Sequence, residues 1–273
     1  MLSGFFGTAL LEPSRISAQP ASNAPPIMPP GLIGYWAAEG SANDSCSTNH
    51  GSLYNGAAFD SGVVGYAFAL NGMHSYVRIP GSKKLDPGRQ VTIELWMKAS
   101  PSNAMQTYQG LVCSDFYLIE IANGFGQPRM GVQFGLSTDS GSSIPSPQTA
   151  DANGGGFPVT PDVWHHIVGT YDGAKLQLYV DGKPAGHPFY HTGAISPMLP
   201  DDGIAIGSEE RRAGGMDPSH GRYFNGLIDE VAIYNRALPP DEILAHYRAG
   251  LAGESVSSAA PAAAKVEDLS VKH

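Results

Sequence analysis

The sequence predicts an all-β protein built as an antiparallel two-sheet sandwich. Apolar and polar residues alternate in short segments, Asp-Gly and other turn pairs separate these segments, and helical periodicity is nearly absent. The 273 residues include 34 Gly and 22 Pro, a composition that favours short strands joined by turns. About a dozen short strands with so little helix are typical of two packed sheets.

The segment 91–97 shows the strand alternation best. Glu94 shares one face with Thr92 and Trp96, and the apolar residues of the other face are Val91, Ile93, Leu95 and Met97. This face is expected to point into the core. The remaining candidate strands span 32–36, 65–70, 76–79, 111–112, 116–121, 130–136, 164–171, 175–180, 204–207 and 227–234.

Turn and helix signals complete the pattern. Asp172-Gly173 and Asp181-Gly182 each lie between or beside alternating segments, where Asp-Gly predicts a tight hairpin turn. Helix is expected only at 241–247, because Ile243 and Tyr247 there share a face.

The two ends of the chain differ in composition from the region between them. Residues 1–30 combine a short apolar run, small residues typical of a cleavage site and a Pro-rich spacer, but no basic residues open the run. They indicate an incomplete secretion signal or, alternatively, a disordered leader. Residues 251–273 are rich in Ala and Ser and predict a disordered tail. The domain is therefore expected at 31–250, in a secreted or cell-surface protein.

Charge and hydropathy exclude two classes of function. The net charge of −9 argues against nucleic-acid binding, which needs clustered Lys and Arg. No apolar run is long enough to span a bilayer. A long insertion of Ser, Gly, Pro and Asp at 137–158 is predicted to be mobile and to lie at the rim of a ligand-binding face.

One acidic residue stands out in the last candidate strand. Strict alternation places Asp229 on the same face as Leu227, Val231 and Ile233, which would point into the core. A bare carboxylate is costly there, so Asp229 needs a backbone donor, a base or a metal ion.

The chain resembles the laminin G-like family of concanavalin A-like jelly-roll domains. The resemblance rests on segments that occur in the family's order: 34–40, 43–44, 49–53, 62–70, 91–97, 164–173, 179–183 and 228–231. It implies a concanavalin A-like jelly roll. It also implies a structural calcium ion, because the aspartate that matches Asp229 often binds calcium in this family.

Two cation sites follow as candidates. The first consists of Glu39, Asp44 and Asp229, with the alternative that Asp229 binds backbone amides without metal. The second mirrors the calcium site of the related pentraxins and consists of Asp115, Glu209 and Glu210. Its alternative is that Arg211 and Arg212 pair with the two glutamates.

Cysteine and histidine residues offer less specific signals. Cys46 and Cys113 either form one disulfide or remain separate thiols, since sequence does not give their separation. His165 and His166 are adjacent in a strand and point to opposite faces, so they are not expected to bind one ion together.

Aromatic residues near loops are the candidate ligand-binding residues, because aromatic rings stack on sugar rings. The set expected to bind ligand comprises Tyr108, Phe157, Tyr190 and Tyr223. The alternative is that single members plug the ends of the sandwich.

The leading interpretation is a non-catalytic extracellular module that recognises glycan or protein. Glycosidases need two carboxylates across one sugar ring, whereas 92–96 and 118–121 each contain one acid. A structural adhesion or surface-assembly protein is the first alternative, and a divergent glycoside hydrolase or lyase is the second. Fold resemblance does not choose the ligand.

Overall fold

The computed structural model describes residues 28–123, 130–139, 156–198, 202–209 and 222–257. Within these ranges the chain forms strands, two short 3₁₀ turns and one α-helix, α1 (Pro240–Leu251). The strands are β1 (Leu32–Trp36), β2 (Ser52–Tyr54), β3 (Ala58–Ser61), β4 (Tyr66–Asn71), β5 (Tyr76–Pro80), β6 (Val91–Ala99), β7 (Tyr108–Cys113), β8 (Tyr117–Ala122), β9 (Gly131–Leu136), β10 (Phe157–Pro158), β11 (Trp164–Tyr171), β12 (Lys175–Val180), β13 (Lys183–Tyr190), β14 (Gly203–Ile206) and β15 (Asn225–Tyr234).

The strands form two antiparallel sheets, as the sequence predicts. Sheet A has eight strands in the order β13-β12-β11-β6-β15-β4-β3, and β1 also pairs with β15. Sheet B has seven strands in the order β10-β9-β8-β7-β14-β5-β2. The 3₁₀ turns are Lys83–Leu85 and Pro101–Met105. The described helix is too short and too polar to cross a membrane.

The core lies between the two sheets and confirms the alternation in β6. Val91, Ile93, Leu95 and Met97 are fully buried in it. Burial of each such side chain stabilises the fold by about 1.5–3 kcal/mol. From sheet B the core receives, among others, Val77, Ile79, Ile119, Ile121, Val132 and Phe134.

Both predicted Asp-Gly turns are present. Asp172-Gly173 connects β11 to β12, and Asp181-Gly182 connects β12 to β13. In the second turn both residues have positive φ, 52° and 73°, which matches the twist of the strands that the turn joins.

The prediction that Asp229 faces the core is wrong. The pairing of β15 with β6 shifts by one residue between Asp229 and Ala232, and Glu230 there has a φ of 52°. This β-bulge reverses the alternation, so Ile228, Val231 and Ile233 point into the core. Asp229 lies opposite Trp96, on the face of sheet A that points away from the core.

The α-helix is longer than predicted and covers this outer face of sheet A. Pro240 and two acidic residues occupy its first turn. The backbone N–H groups of a first turn have no partner within the helix, so a proline there costs no hydrogen bond. Negative side chains are stabilised by the positive end of the helix dipole. Tyr247 stacks on Trp96 with ring centroids 5.6 Å apart. A side chain at Gly250 would collide with Trp96, so glycine lets the helix approach the sheet.

A buried carboxylate joins the helix to the sheet. Glu94 Oε1 lies 2.7 Å from His166 Nε2 in β11, and both Glu94 oxygens lie 3.0 Å from His246 Nδ1 in α1. Burial acts to raise the pKa of Glu94, but the two histidines outweigh it and lower the pKa to about 2. Burial acts to lower the pKa of His246, and the charge of Glu94 outweighs it and raises that pKa.

The two histidines next to each other in β11 have separate partners, as predicted. His166 binds Glu94, whereas His165 Nδ1 lies 2.9 Å from Asp181 Oδ2. Of the two alternatives for the cysteines, the structure has the separate thiols: no disulfide joins Cys46 and Cys113. Burial and the neighbouring Asp44 raise the pKa of Cys46 to about 12, which keeps it a thiol.

We expect Glu94→Gln to lower the free energy of unfolding by about 3 kcal/mol, because it removes one partner of a buried charged cluster. Urea unfolding measures this effect. Asp241→Asn is the matched control, since it removes an exposed acid from the first turn of the same helix and changes stability by less than about 1 kcal/mol. Equal losses in the two variants would contradict the prediction.

The same cluster makes stability depend on pH. The lowered pKa of Glu94 means that its contribution is present above the ordinary value of 4.5 and is lost as the pH falls towards 2. The raised pKa of His246 means that its contribution is present below the ordinary value of 6.5 and is lost as the pH rises above it. The protection factors of the α1 amides, which correct for base-catalysed exchange, should therefore fall between pH 6.5 and the alkaline range, and should fall less in His246→Gln.

Candidate functional site

Two of the predicted metal ligands, Glu39 and Asp229, accept hydrogen bonds from the same loop. The backbone N–H groups of Val63 and Val64 donate to Asp229 Oδ2 at 2.9 and 3.0 Å. The N–H of Tyr66 donates to Glu39 Oε1 at 3.0 Å. Glu39 and Asp229 thus both bind the segment 62–66. These two residues and this segment form the acidic loop site.

Glycines make room for both carboxylates in this acidic loop site. A side chain at Gly62 would collide with Asp229 Oδ2, and one at Gly65 would collide with both carboxylate oxygens of Glu39. Gly65 also has a φ of 52°, which favours glycine. The loop therefore fits closely around two carboxylates.

The acidic loop site holds a buried carboxyl group whose charged form is disfavoured. Burial raises the pKa of Asp229 to about 8, although the amides of Val64, Glu230 and Val63 act to lower it. The neighbouring Glu230 raises it further, and burial raises the pKa of Glu230 itself to about 7. Within the described part of the chain, no lysine or arginine pairs with Asp229. Carboxylates are ligands of the kind that calcium takes, and these two also accept backbone amides here.

Asp44 does not join the acidic loop site. Its Oδ1 accepts the backbone N–H groups of Tyr35, Cys46 and Ser47, and its Oδ2 accepts two donors from Asn49. Through these hydrogen bonds Asp44 stabilises the loop after β1. Nowhere in the described ranges do three Asp, Glu, His or Cys side chains gather as metal ligands.

The second predicted cation site has a different arrangement. Glu209 Oε1 accepts a hydrogen bond from Arg222 Nη1 at 2.8 Å. Arg222 thus takes the role that the sequence reading considered for Arg211 and Arg212. Asp115 lies in the turn between β7 and β8, and Glu210, Arg211 and Arg212 lie outside the described residues. Most of the 137–158 insertion, and all but the last three residues of the 1–30 leader, also lie outside them.

Glu209 belongs to a larger polar group on the outer face of sheet B, the face turned away from the core. Ile119 and Ile121 of β8 fill the core, so Glu120 between them lies on the outer face. Gln133 lies opposite Glu120 in the pairing of β8 with β9, and its Nε2 donates to Glu120 Oε1 at 2.6 Å.

Arg222 completes this polar group. Its Cζ lies 4.8 Å from the ring centroid of Tyr108, and its Nη1 lies 3.9 Å from Glu120 Oε2. Arg222 has a φ of 45°, an uncommon conformation for a residue with a side chain, and such strain is concentrated at functional sites. Burial raises the pKa of Glu120 to about 7, with Glu209 adding to the rise and Gln133 and Arg222 opposing it.

A row of aromatic rings continues the same outer face. Val77 and Ile79 point into the core, so Tyr76 lies on the outer face of β5, opposite Tyr54 of β2. Tyr54 and Tyr76 stack with ring centroids 5.0 Å apart and planes 9° apart. Tyr223 contacts Tyr76 at 6.3 Å. Tyr54 is 40% exposed, whereas Tyr76 and Tyr223 are buried and hold it in place.

The structure thus unites two of the four predicted ligand-binding aromatics, Tyr108 and Tyr223, on one face. The other two predicted aromatics, Phe157 and Tyr190, lie elsewhere. Phe157 lies opposite the core residue Val132 and packs against the core. Tyr190 is 73% exposed at the end of β13, in sheet A.

Sequence reasoning missed most of this outer face. Glu120 was seen only as a lone acid, although its alternation with Ile119 and Ile121 places it outside the core. Tyr76 and Arg222 carried no motif, because their significance depends on strands far apart in sequence.

Comparison with known proteins identifies the family. The family model of the concanavalin A-like lectin/glucanases superfamily (Laminin_G_3) matches residues 71–244. The chain belongs to this superfamily. No protein of curated function matches it in sequence.

Solved structures share the jelly-roll fold of the superfamily. Domain 4 of AbnA, a GH43 extracellular arabinanase from Geobacillus stearothermophilus in complex with arabinotriose, has a TM-score of 0.51 and 21% identity, covering 78% of this chain and 96% of that chain. The binding domain of Paraclostridial Mosquitocidal Protein 1 has a TM-score of 0.57 and 15% identity, covering 80% and 52%. The binding domain of botulinum neurotoxin serotype D, in complex with N-acetylneuraminic acid, has a TM-score of 0.52 and 13% identity, covering 80% and 50%.

These likenesses establish the superfamily's concanavalin A-like jelly roll for this chain. The chain spans about half the length of the two toxin binding domains. Identities this low carry the fold and leave the ligand to be argued from the site.

Proposed function

We propose that the protein is an extracellular, non-catalytic module that binds glycan on the outer face of sheet B. The observation that carries this proposal is the exposed Tyr54 ring, stacked on the buried Tyr76, on the same face as the polar group around Arg222. A rigid aromatic ring offers an apolar surface to a sugar ring. Arg222, whose side chain is 43% exposed, offers N–H donors for hydroxyls.

The related structures agree with this choice of ligand. The arabinanase domain was solved with arabinotriose and the neurotoxin domain with N-acetylneuraminic acid, so this fold accommodates sugars. The arabinanase is an extracellular protein, which fits the proposed location. A protein partner remains the alternative ligand for the same face.

A glycoside hydrolase is the second candidate, and Glu120 is the observation that favours it. A carboxyl group with a pKa of about 7 suits a general acid. Its neighbour Glu209, however, is bound by Arg222, whereas a glycosidase needs its second carboxylate facing the sugar. Release of reducing sugar by the wild type, lost in Glu120→Gln, would establish the enzyme and overturn the non-catalytic assignment.

We expect Tyr54→Ala to weaken glycan binding about tenfold, which corresponds to about 1.4 kcal/mol. The variant removes the exposed stacking surface without touching the core. Binding is measured on a glycan array and then by calorimetry with the best array ligand.

Tyr190→Ala is the matched control for this prediction. Tyr190 is even more exposed than Tyr54 but lies in sheet A, so its removal should leave affinity unchanged. Equal effects of the two substitutions would refute the proposed face. Self-association of the chain without any sugar binding would instead support the structural adhesion alternative.

We also propose that a structural calcium ion binds at the acidic loop site, held by Glu39 and Asp229. The close approach of Gly62 and Gly65 to the two carboxylates and the raised pKa of Asp229 support this proposal. When bound, the ion would supply positive charge beside the buried carboxylate of Asp229 and the exposed one of Glu39. The chain's own contribution is to fix the loop 62–66 against β15 through backbone amides.

Calcium should raise the melting temperature of the wild-type protein. Binding to the folded state alone stabilises by about 2.7 kcal/mol at a hundredfold excess of calcium over Kd. Asp229→Asn should remove most of this effect, because an amide is a poorer ligand for a hard dication.

Asp115→Asn serves as the control and should keep the full calcium effect. Melting is followed by calorimetry in calcium and in chelator, on protein freed of metal beforehand. If the wild type melts at the same temperature in both, Asp229 acts only through its backbone hydrogen bonds.

A further inference from the structure

Arg78 is a basic side chain on the outer face of sheet B and has no acidic partner among the described residues. It is the middle residue of β5, where Val77 and Ile79 point into the core, so Arg78 lies on the outer face beside Tyr76. Its partners across the neighbouring strands are Ser52 and Ala205. These neighbours are small, and the Arg78 side chain is partly buried, with its Nε fully buried.

Among the described basic residues, Arg78 is set apart by a buried N–H group that has no partner, rather than by the lack of an acid alone. Arg222 is bound to Glu209, and Arg236 is bound to Glu242 by two hydrogen bonds. In contrast, the buried Nε of Arg78 has no hydrogen-bond partner within the described ranges. A buried N–H without an acceptor destabilises the protein unless a ligand satisfies it.

We propose that the glycan is acidic and that Arg78 binds its anionic group. This inference rests on the proposed glycan-binding function and names the class of sugar. A carboxylate or sulfate accepts two parallel N–H groups from a guanidinium, which a neutral hydroxyl does not.

Arg78 lies at the right place to share one sugar with the tyrosine stack. Tyr54 is its diagonal neighbour across β2 and β5, because Ser52 pairs with Arg78 and Tyr54 pairs with Tyr76. Diagonal neighbours are about 7–8 Å apart. A sugar ring packed on Tyr54 therefore has its acidic substituent within reach of the guanidinium.

The acids of the same face lie at its other end. Glu120 is in β8, and three strand spacings separate β8 from β5, which is about 14 Å. At this distance, which exceeds a Debye length, Glu120 neither pairs with Arg78 nor repels an acidic sugar bound beside it.

The test uses the full chain and pairs of acidic and neutral probes. The carboxylate probes are trigalacturonic acid, its methyl ester and sialyllactose, the sulfate probe is a heparin tetrasaccharide, and lactose and arabinotriose are neutral. Wild-type protein should bind at least one acidic probe more tightly than its neutral counterpart, and added salt should weaken that binding. The anionic group is the one, carboxylate or sulfate, whose probe binds with the higher affinity.

Arg78→Gln should weaken binding of the preferred acidic probe by about tenfold or more, because it removes a charge-assisted pair. Arg78→Lys keeps the positive charge but lacks the two parallel N–H donors of the guanidinium, so its affinity should fall between those of the wild type and Arg78→Gln. Lys183→Gln is the matched control: it removes the same charge from an exposed position in sheet A and should bind like wild type. A melting curve establishes that each variant is folded.

The outcomes separate this inference from the function on which it rests. Binding to neutral probes alone, or acidic binding unchanged in Arg78→Gln, overturns the role of Arg78 and leaves glycan binding intact. Binding to none of the probes, together with no binding on a full glycan array, overturns both.

Discussion

The arrangement of acids in this protein depends on the β-bulge at Glu230. The strand β15 pairs with β1, β4 and β6, so its alternation sets which side chains reach the core. The extra residue keeps apolar side chains in the core on both sides of the bulge. It also turns two consecutive acids, Asp229 and Glu230, away from the core.

Each of these two acids ties a different part of the chain to the strand. Asp229 binds the amides of the loop 62–66, whereas Glu230 accepts the hydroxyl of Tyr35 at 2.7 Å and the amide of Val256 at 3.1 Å. The first strand, the loop and the segment after the helix are therefore anchored to one point. A change in the bulge would disturb all three at once.

The two outer faces differ in what covers them. That of sheet A is covered by α1, and Glu94 there contacts two histidines. That of sheet B carries an exposed tyrosine and an arginine whose Nε has no partner in the described ranges. Satisfied charges hold a structure together, whereas unsatisfied groups on a rigid surface are suited to binding a ligand.

The sequence by itself determined the two-sheet sandwich, the alternation of β6 and the Asp-Gly hairpins, because these follow from local period, turn chemistry and family resemblance. It did not determine the face of Asp229, since one inserted residue reverses a period of two and leaves no mark in composition. Nor did it select Tyr54, Arg78, Glu120 and Arg222 as one surface. Only the tertiary structure decided that, because strand order brings these side chains onto the same face from segments distant in the chain.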